Sequence, residues 1–407
     1  MFPSQGEILE ISKQPEQAYV DFPHVRTEHA ILCAAACAAF SGRKGKDRSE
    51  MVGKMCGMVV CALVALGGLA APEAARQGFV VVTDHLVADG GADVSDALQR
   101  LIDANPNRTL YFPDGTYLLA KPILTPAHPR RSVDLRLSHY AVLKAAPGWS
   151  SSEALVRLGA SHPANDIRTI GSNYGLTGGM LDGSGVANGV SIDGGRETRI
   201  RDVAIKHVRV GVHVKRGANN GSSDCDILDV NIVGNRATNS IGVLVEGYDN
   251  TFTNLRIADV HTGVLLRSGG NCLRNVHPLY TCNYADYGTS CGFNVRASNN
   301  FFDFCYSDHF SIGFLEAPGT SGVYHKCFCF WYAPNKGLRH TAFRAEGAFG
   351  SIVRDFTVGF CRAEALNTVL EVGKDGGKGV FDNLRVNARE INETACAYRR
   401  YLVGKTF

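Results

Sequence analysis

Charge of one sign is missing from this chain of 407 residues: 42 basic side chains face 39 acidic ones, a formal balance of +3. Near-neutrality of that kind lacks the basic footprint that nucleic-acid binding needs, so no nucleic-acid partner is expected. Long hydrophobic runs are missing too. The charge-free stretch from Cys56 to Ala71 is shorter than the ~20 apolar residues a spanning helix requires. Cysteine is not scarce, but ordered cysteine is: four of the 13 (Cys33, Cys37, Cys56, Cys61) lie in or near that stretch, and the nine that remain match no zinc-ligand spacing. An odd remainder leaves at least one thiol unpaired. Cys305 and Cys327 fall on inward strand positions, where cysteine packs as a small hydrophobe, and a disulfide such as Cys282 to Cys291 is available after export.

The short apolar run still carries information. It follows Arg43, Lys44, Lys46, Arg48 and Lys54 and ends in the small-x-small site Gly68-Leu69-Ala70, which gives it the length and flanks of a secretory signal. The expectation is a leader over residues 1–75, with translation starting at Met51 or Met55, a secreted or periplasmic product, and no stable membrane span after processing. A weak membrane anchor with a cytosolic tail is the competing reading.

What is abundant is repetition. A phrase of Gly or Ala, apolar, any residue, apolar returns every 21 to 31 residues or so, as at Gly189-Val190-Ser191-Ile192, Gly211-Val212-His213-Val214, Gly242-Val243-Leu244-Val245, Gly263-Val264-Leu265-Leu266, Gly292-Phe293-Asn294-Val295 and Gly313-Phe314-Leu315-Glu316. A period in this range means one unit stacked many times, and two-residue alternation makes the unit a strand. Asn219, Asn250, Asn271 and Asn300 stand at one offset, as a ladder of stacked turn asparagines would. A second apolar strand follows each of them, such as Phe252-x-x-Leu255-x-Ile257, and the rung has no room for a helix. The fold class is therefore all-β: a single-stranded, right-handed parallel β-helix over residues 76–390 with a C-terminal tail at 391–407. Glycine, 45 of 407, exceeds the usual ~7% without a triplet period, which fits many tight turns.

Ahead of the repeats come Ala88-Asp89-Gly90-Gly91-Ala92-Asp93, an amphipathic stretch with Val94, Ala97, Leu98, Leu101 and Ile102 at helical spacing, and Tyr111-Phe112-Pro113-Asp114-Gly115-Thr116-Tyr117. Asp93 stands where an N-cap belongs, and a short helix here would cover the open N-terminal end of the stack. This order resembles the opening of the pectate lyase superfamily, in the branch that includes rhamnogalacturonases and epimerase-like enzymes. The resemblance covers about residues 80–390 and implies the solenoid and a carbohydrate substrate. Gly179-Met180-Leu181-Asp182-Gly183-Ser184-Gly185 is similar to a structural strand of polygalacturonase-type hydrolases. The catalytic motifs of those enzymes, N-T-D, G-D-D, G-H-G and R-I-K, are absent, so their mechanism does not transfer residue by residue.

Two columns of outward residues could carry chemistry. One follows the Gly phrase: Asp193, Lys215, Glu246, Arg267, Arg296 and Glu346, read either as a ladder of solvated ion pairs, the commoner outcome, or as a site for acidic sugars. The other precedes the Gly phrase, in the stretch where the resemblance places the catalytic carboxylates of polygalacturonase-like enzymes. It holds Asp259 and His261, then Tyr280, Tyr284, Asp286 and Tyr287, then Tyr306, Asp308 and His309, then Trp331, Tyr332 and His340. Aromatics to stack on sugar rings and paired carboxyls to protonate and attack are what glycoside chemistry needs.

Asp308, Asp259, Asp286, His309 and His261 are thus the catalytic candidates, with Tyr306, His277, Tyr284, Trp331, Tyr332, Arg267, Arg296 and Glu246 for binding. Asp259 and Asp308, two rungs apart, would stand ~9–10 Å from each other, which suits an inverting hydrolase better than a retaining one. A lyase or epimerase using His277, His309 or Tyr306 beside a neutralising arginine is a further reading, and a noncatalytic glycan-binding or adhesin-like β-helix another. No convergent carboxylate cluster suggests calcium, so neither metal nor cofactor is expected. Glu316 breaks the apolar pattern, which means either a bulge or a buried carboxyl. A homo-trimer is an available assembly.

Overall fold

The computed structural model describes residues 78–164, 174–217, 222–282, 284–331, 338–360, 366–374, 376–388 and 402–403. The leader and its apolar run lie outside them, as do Asn219, Tyr332, Cys361 and Cys396.

The stack is a right-handed parallel β-helix of three strands per coil. Among the described residues, one 23-stranded sheet bends around two flanks and a 10-stranded sheet forms the third, every pairing parallel. The Gly phrases align as expected: Val190, Val212, Val243, Val264, Phe293, Phe314, Phe343 and Leu370 form one register column of the smaller sheet, all buried. The glycine of the phrase is required by close approach. A Cβ on Gly263 would sit 2.4 Å from the Gly292 carbonyl and 2.4 Å from Pro278, which faces it across the interior.

The second strand of each rung, read from sequence as one piece, is unbroken at Thr251–Ala258 and Cys272–Leu279 and is two strands in other coils, such as Asn300–Asp303 and Tyr306–Asp308. A residue in the left-handed region bends it at the same place in coil after coil: Asp202, Asp229, Asn254, Asn275, Phe304, Lys326, Asp355 and Asn383, with φ between 51° and 58°. Asn and Asp tolerate that conformation best, and here they bond to one another up the stack: Asn254 Nδ2 donates to Asp229 Oδ1 at 3.0 Å and Asn275 Nδ2 to Asn254 Oδ1 at 2.9 Å. This is a second, exposed ladder. The expected one is buried: Asn250 donates to Asn271 at 3.1 Å and Asn271 to Asn300 at 3.2 Å, all three fully enclosed.

The capping helix, α1, runs Ser95–Ala104 with Leu98, Leu101 and Ile102 buried. Its N-cap position is Val94, not Asp93. Asp93 Oδ1 nevertheless accepts the Ser95 amide at 2.9 Å and the Ala120 amide at 3.0 Å, tying the helix start to the strand beneath. Cys225, Cys305, Cys327 and Cys329 are core filling, and Cys282 and Cys291 are free thiols, so the disulfide between them is not formed. No helix among the described residues is long and apolar enough to cross a membrane.

Glu316 is the buried alternative. It occupies the inward column between Val295 and Ala345, 1% exposed, and accepts a hydrogen bond from the Tyr324 hydroxyl at 2.8 Å and another from Ser351. Burial pushes its carboxyl up to about 7 against these two bonds.

Candidate functional site

The candidate flank is formed by the strands just before the Gly phrase. Register places Lys144, Asp182 and Lys206 one above another, and farther along the same face Ala258, Leu279, Asp308 and Phe330. At the edge of this face a groove of about 660 Å³ is lined by Lys144, Asp182, Ser184, His207, Arg236 and Asp259 among others.

Backbone conformation aims the groove residues. His207, one residue before the end of its strand, and Asp259, just past the end of its own, both take left-handed backbone, at φ 52° and 56°. His207 Nδ1 lies 3.0 Å from Asp182 Oδ1, which also accepts the Ser184 amide at 3.0 Å, while Lys144 Nζ stands 3.7 Å from the other oxygen. The Asp182 side chain is 16% exposed and the His207 ring 63%, so the carboxylate is the buried support and the imidazole the accessible end. Burial by itself would raise the Asp182 carboxyl, but the Ser184 amide, His207 and Lys144 outweigh it and hold it below the ordinary value. Beside this pair, burial lowers the Lys206 ammonium from its usual range. Asp259 completes the groove, bound to Arg236 Nε at 3.0 Å and to the Thr281 hydroxyl.

Asp308, His277 and Tyr306 come together next to this groove. His277 Nε2 is 3.6 Å from Asp308 Oδ2, and its ring stacks on Tyr306 with centroids 4.0 Å apart. Asp308 Oδ1 and His277 Nε2 are enclosed, and neither makes a hydrogen bond among the described residues. Asp259 is two coils away, displaced by one position, since Ala258 and not Asp259 shares the Asp308 column.

Other candidates do not reach this face. Trp331 is 1% exposed, its indole donating to the Phe310 carbonyl at 2.6 Å, so it cannot stack on a sugar. His309 is equally enclosed, and burial pushes its imidazole down. Asp286 lies on a 3-10 insertion, Tyr284–Thr289, whose carbonyl at Asp286 and hydroxyl at Thr289 meet His261 Nε2 at 3.3 and 3.0 Å. His261 therefore anchors that insertion. Glu246, Arg267 and Arg296 are on the flank of the 10-stranded sheet. There Glu246 pairs with Arg267 and His213, each at 2.9 Å, and Arg296 with Glu346 at 3.1 Å, a ladder of ion pairs. Tyr332 and the side chain of Tyr284 lie outside the described residues.

Asp182, His207, Lys144 and Arg236 were the residues missed. A signal existed: Lys206-His207-Val208 and Ala258-Asp259-Val260 fill the same slot near the end of a strand, two coils apart.

A family model described as rhamnogalacturonase A/epimerase, pectate lyase-like, matches residues 79–285, about half of the chain. The protein belongs to this family. Pectate lyase-like architecture also appears in the solved structures it matches. An endo-xylogalacturonan hydrolase from Aspergillus tubingensis is 14% identical, with 77% of this chain and 93% of that one covered and a TM-score of 0.52. The tailspike protein of E. coli bacteriophage HK620 is 12% identical, with 75% and 65% covered and a TM-score of 0.50. ORF18 of Geobacillus virus E2 is 13% identical, with 86% and 66% covered and a TM-score of 0.49. The chain thus spans about two thirds of the length of these two viral proteins. At such identities the likeness is one of fold. No curated protein sequence matches the chain.

Proposed function

We propose that this pectate lyase-like protein is an exported enzyme of acidic polysaccharides, and that the groove at Asp182 and His207 removes the proton beside a uronate carboxylate. The observation that carries the reading is the 3.0 Å contact between His207 Nδ1 and Asp182. A carboxylate accepting Nδ1–H leaves the lone pair on Nε2, at the exposed end of the ring, ready to take a proton. Lys144, Lys206 and Arg236 beside it supply the positive charge that a uronate needs on binding and that the developing enolate needs more. The C5 proton passes to Nε2. The electron pair then either expels the C4 oxygen, which leaves as a hydroxyl on taking a proton from water, giving elimination, or recaptures a proton from water on the opposite face, giving epimerisation. The sugar chain would run along the coil axis, from the cationic groove towards Tyr306 and Phe328, whose rings lie 4.7 Å apart.

Hydrolysis is the second reading, and one observation favours it: the enclosed, unbonded Asp308 Oδ1 next to His277. With Asp259 two coils away, ~10 Å by strand spacing, the two carboxyls approach the range of an inverting pair. Assays on a panel of acidic polysaccharides with absorbance at 235 nm and reducing ends read in parallel separate the two, because elimination raises both signals and hydrolysis only the second. Asp308→Asn should leave elimination within a few fold. Loss of reducing-end release by this variant, with no 235 nm signal from the parent, would hand the chemistry to the Asp308 pair. Binding of the glycan with neither signal, and no change in its uronate stereochemistry, would leave a noncatalytic surface.

Export is supported by the run from Cys56 to Ala71 behind its basic flank. Protein recovered from the medium or periplasm should begin beyond Ala71 on N-terminal sequencing, and an intact leader on such material would remove the inference.

A further inference from the structure

The flank before the left-handed corner carries a stripe of a different kind. Consecutive coils place Cys272, Phe301, Val323, Ile352 and Val380 in register, side chains outward. Phe301 is 49% exposed, Val323 36%, Ile352 43% and Val380 38%, and Phe304 at the adjoining corner is 48% exposed. Outward positions of an exposed sheet are normally polar, and large apolar side chains aligned over ~14 Å of the stack mark a contact surface.

The column beside the stripe identifies the occupant. Two residues farther along the same strands stand Arg274, Asp303, His325, Arg354 and Asp382, again in register. Reversing this order about His325 sets Arg274 against Asp382 and Asp303 against Arg354. Every charged pair is then opposite in sign. The same reversal lays Phe301 on Ile352 and Val323 on its own copy. A three-fold parallel to the coil axis would instead bring equal heights together, Asp303 near Asp303 and Arg354 near Arg354, which costs energy on desolvation.

We propose that this stripe is a self-association surface, on which a second copy of the chain docks antiparallel about a two-fold running along the strands at Val323. Self-complementarity about such an axis is what an isologous interface demands. The small apolar area places the contact at the low end of stable interfaces, so dimers should form as concentration rises.

Sedimentation velocity of the whole protein over a concentration series tests this. The parent should shift from monomer to dimer. Ile352→Glu should weaken the dimer by roughly tenfold or more, and Asp303→Arg likewise, because each then faces an unfavourable partner. The double exchange Asp303→Arg with Arg354→Asp should restore the parent's affinity, since the new charges again meet opposites across the two-fold. Asp303 also pairs with Arg274 at 3.6 Å and with His325 at 2.9 Å within its own chain, so the unfolding temperature of each variant is read alongside, and Ile352→Glu, which breaks no ion pair, carries the test where Asp303→Arg lowers that temperature. A parent that stays monomeric throughout, a trimer, or a double exchange that fails to restore association would each overturn the proposal.

Discussion

His207→Asn is expected to lower turnover of a uronate-containing polysaccharide by ~10²–10⁴-fold, the usual contribution of a positioned general base, while the protein remains folded. Asparagine is the better probe than alanine. His207 sits at φ 52°, a conformation that asparagine tolerates and that costs alanine ~1 kcal/mol or more, so a loss seen with alanine could be a loss of backbone. Asp182→Asn should have a smaller effect on binding than on rate. It keeps the shape and can still bond to His207, but as an amide it can donate to Nδ1 and favour the tautomer with the proton on Nε2, the wrong end for a base. Steady-state rates at saturating and limiting substrate distinguish the two. If His207→Asn turns over its polysaccharide at the parent's rate, the groove binds sugar at most and the chemistry is elsewhere.

Stability against pH should look flatter in the parent than in either of two single variants. Glu316 is pushed from 4.5 up to about 7 by burial, and His340, buried beside Tyr287 whose hydroxyl lies 2.6 Å from its Nδ1, is pushed from 6.5 down to about 4. Between pH 4.5 and 7 the unfolded chain has released the Glu316 proton that the native state keeps, so this group's stabilisation is full below 4.5 and gone by about 7. The imidazole works in the opposite sense: unfolded His340 takes up a proton below 6.5 that the native state refuses, so its stabilisation is present above 6.5 and lost as pH falls towards 4. Each shift corresponds to ~3 kcal/mol. Over the shared window the two slopes largely offset. Glu316→Gln should uncover the imidazole slope, with stability at pH 7 exceeding that at pH 4.5 by ~3 kcal/mol more than in the parent. His340→Gln should uncover the reverse slope. Urea unfolding at half-unit steps from pH 4 to 8, read as variant minus parent, measures both. Parallel curves for parent and Glu316→Gln would mean that Glu316 titrates the same in both states.

How much of this could be read beforehand differs between architecture and site. Period, alternation and the Gly phrase specify coils, inward columns and the asparagine ladder because each is a local pattern repeated under the same rule: only glycine admits the neighbouring coil at Gly263, and the Asn271 amide accepts from Asn250 and donates to Asn300 up the stack. The bend in the long strand was less legible. Six of its eight bend residues are Asn or Asp, but Phe304 and Lys326 fill the slot too, so the signal is blurred where the stack overrules preference.

The site depended on direction, which spacing alone does not carry. Aromatic and acidic residues before a Gly phrase look equivalent in a string. In three dimensions Trp331 and His309 turn inward around the Tyr284–Thr289 insertion, Asp259 turns sideways into a groove, and Asp308 points out beside His277. One residue of phase decides which flank a side chain joins, and a left-handed corner resets that phase at every coil.

Sequence by itself determined the solenoid, its register, its capping helix and the family to which it belongs, because coil stacking is a one-dimensional problem of short repeats. Tertiary structure alone decided that Asp182 supports His207, that Glu316 lies inside, and that Glu246, Arg267 and Arg296 occupy a different flank from Asp308. Those outcomes rest on where each backbone corner aims a side chain, and on neighbours contributed by coils more than 20 residues away.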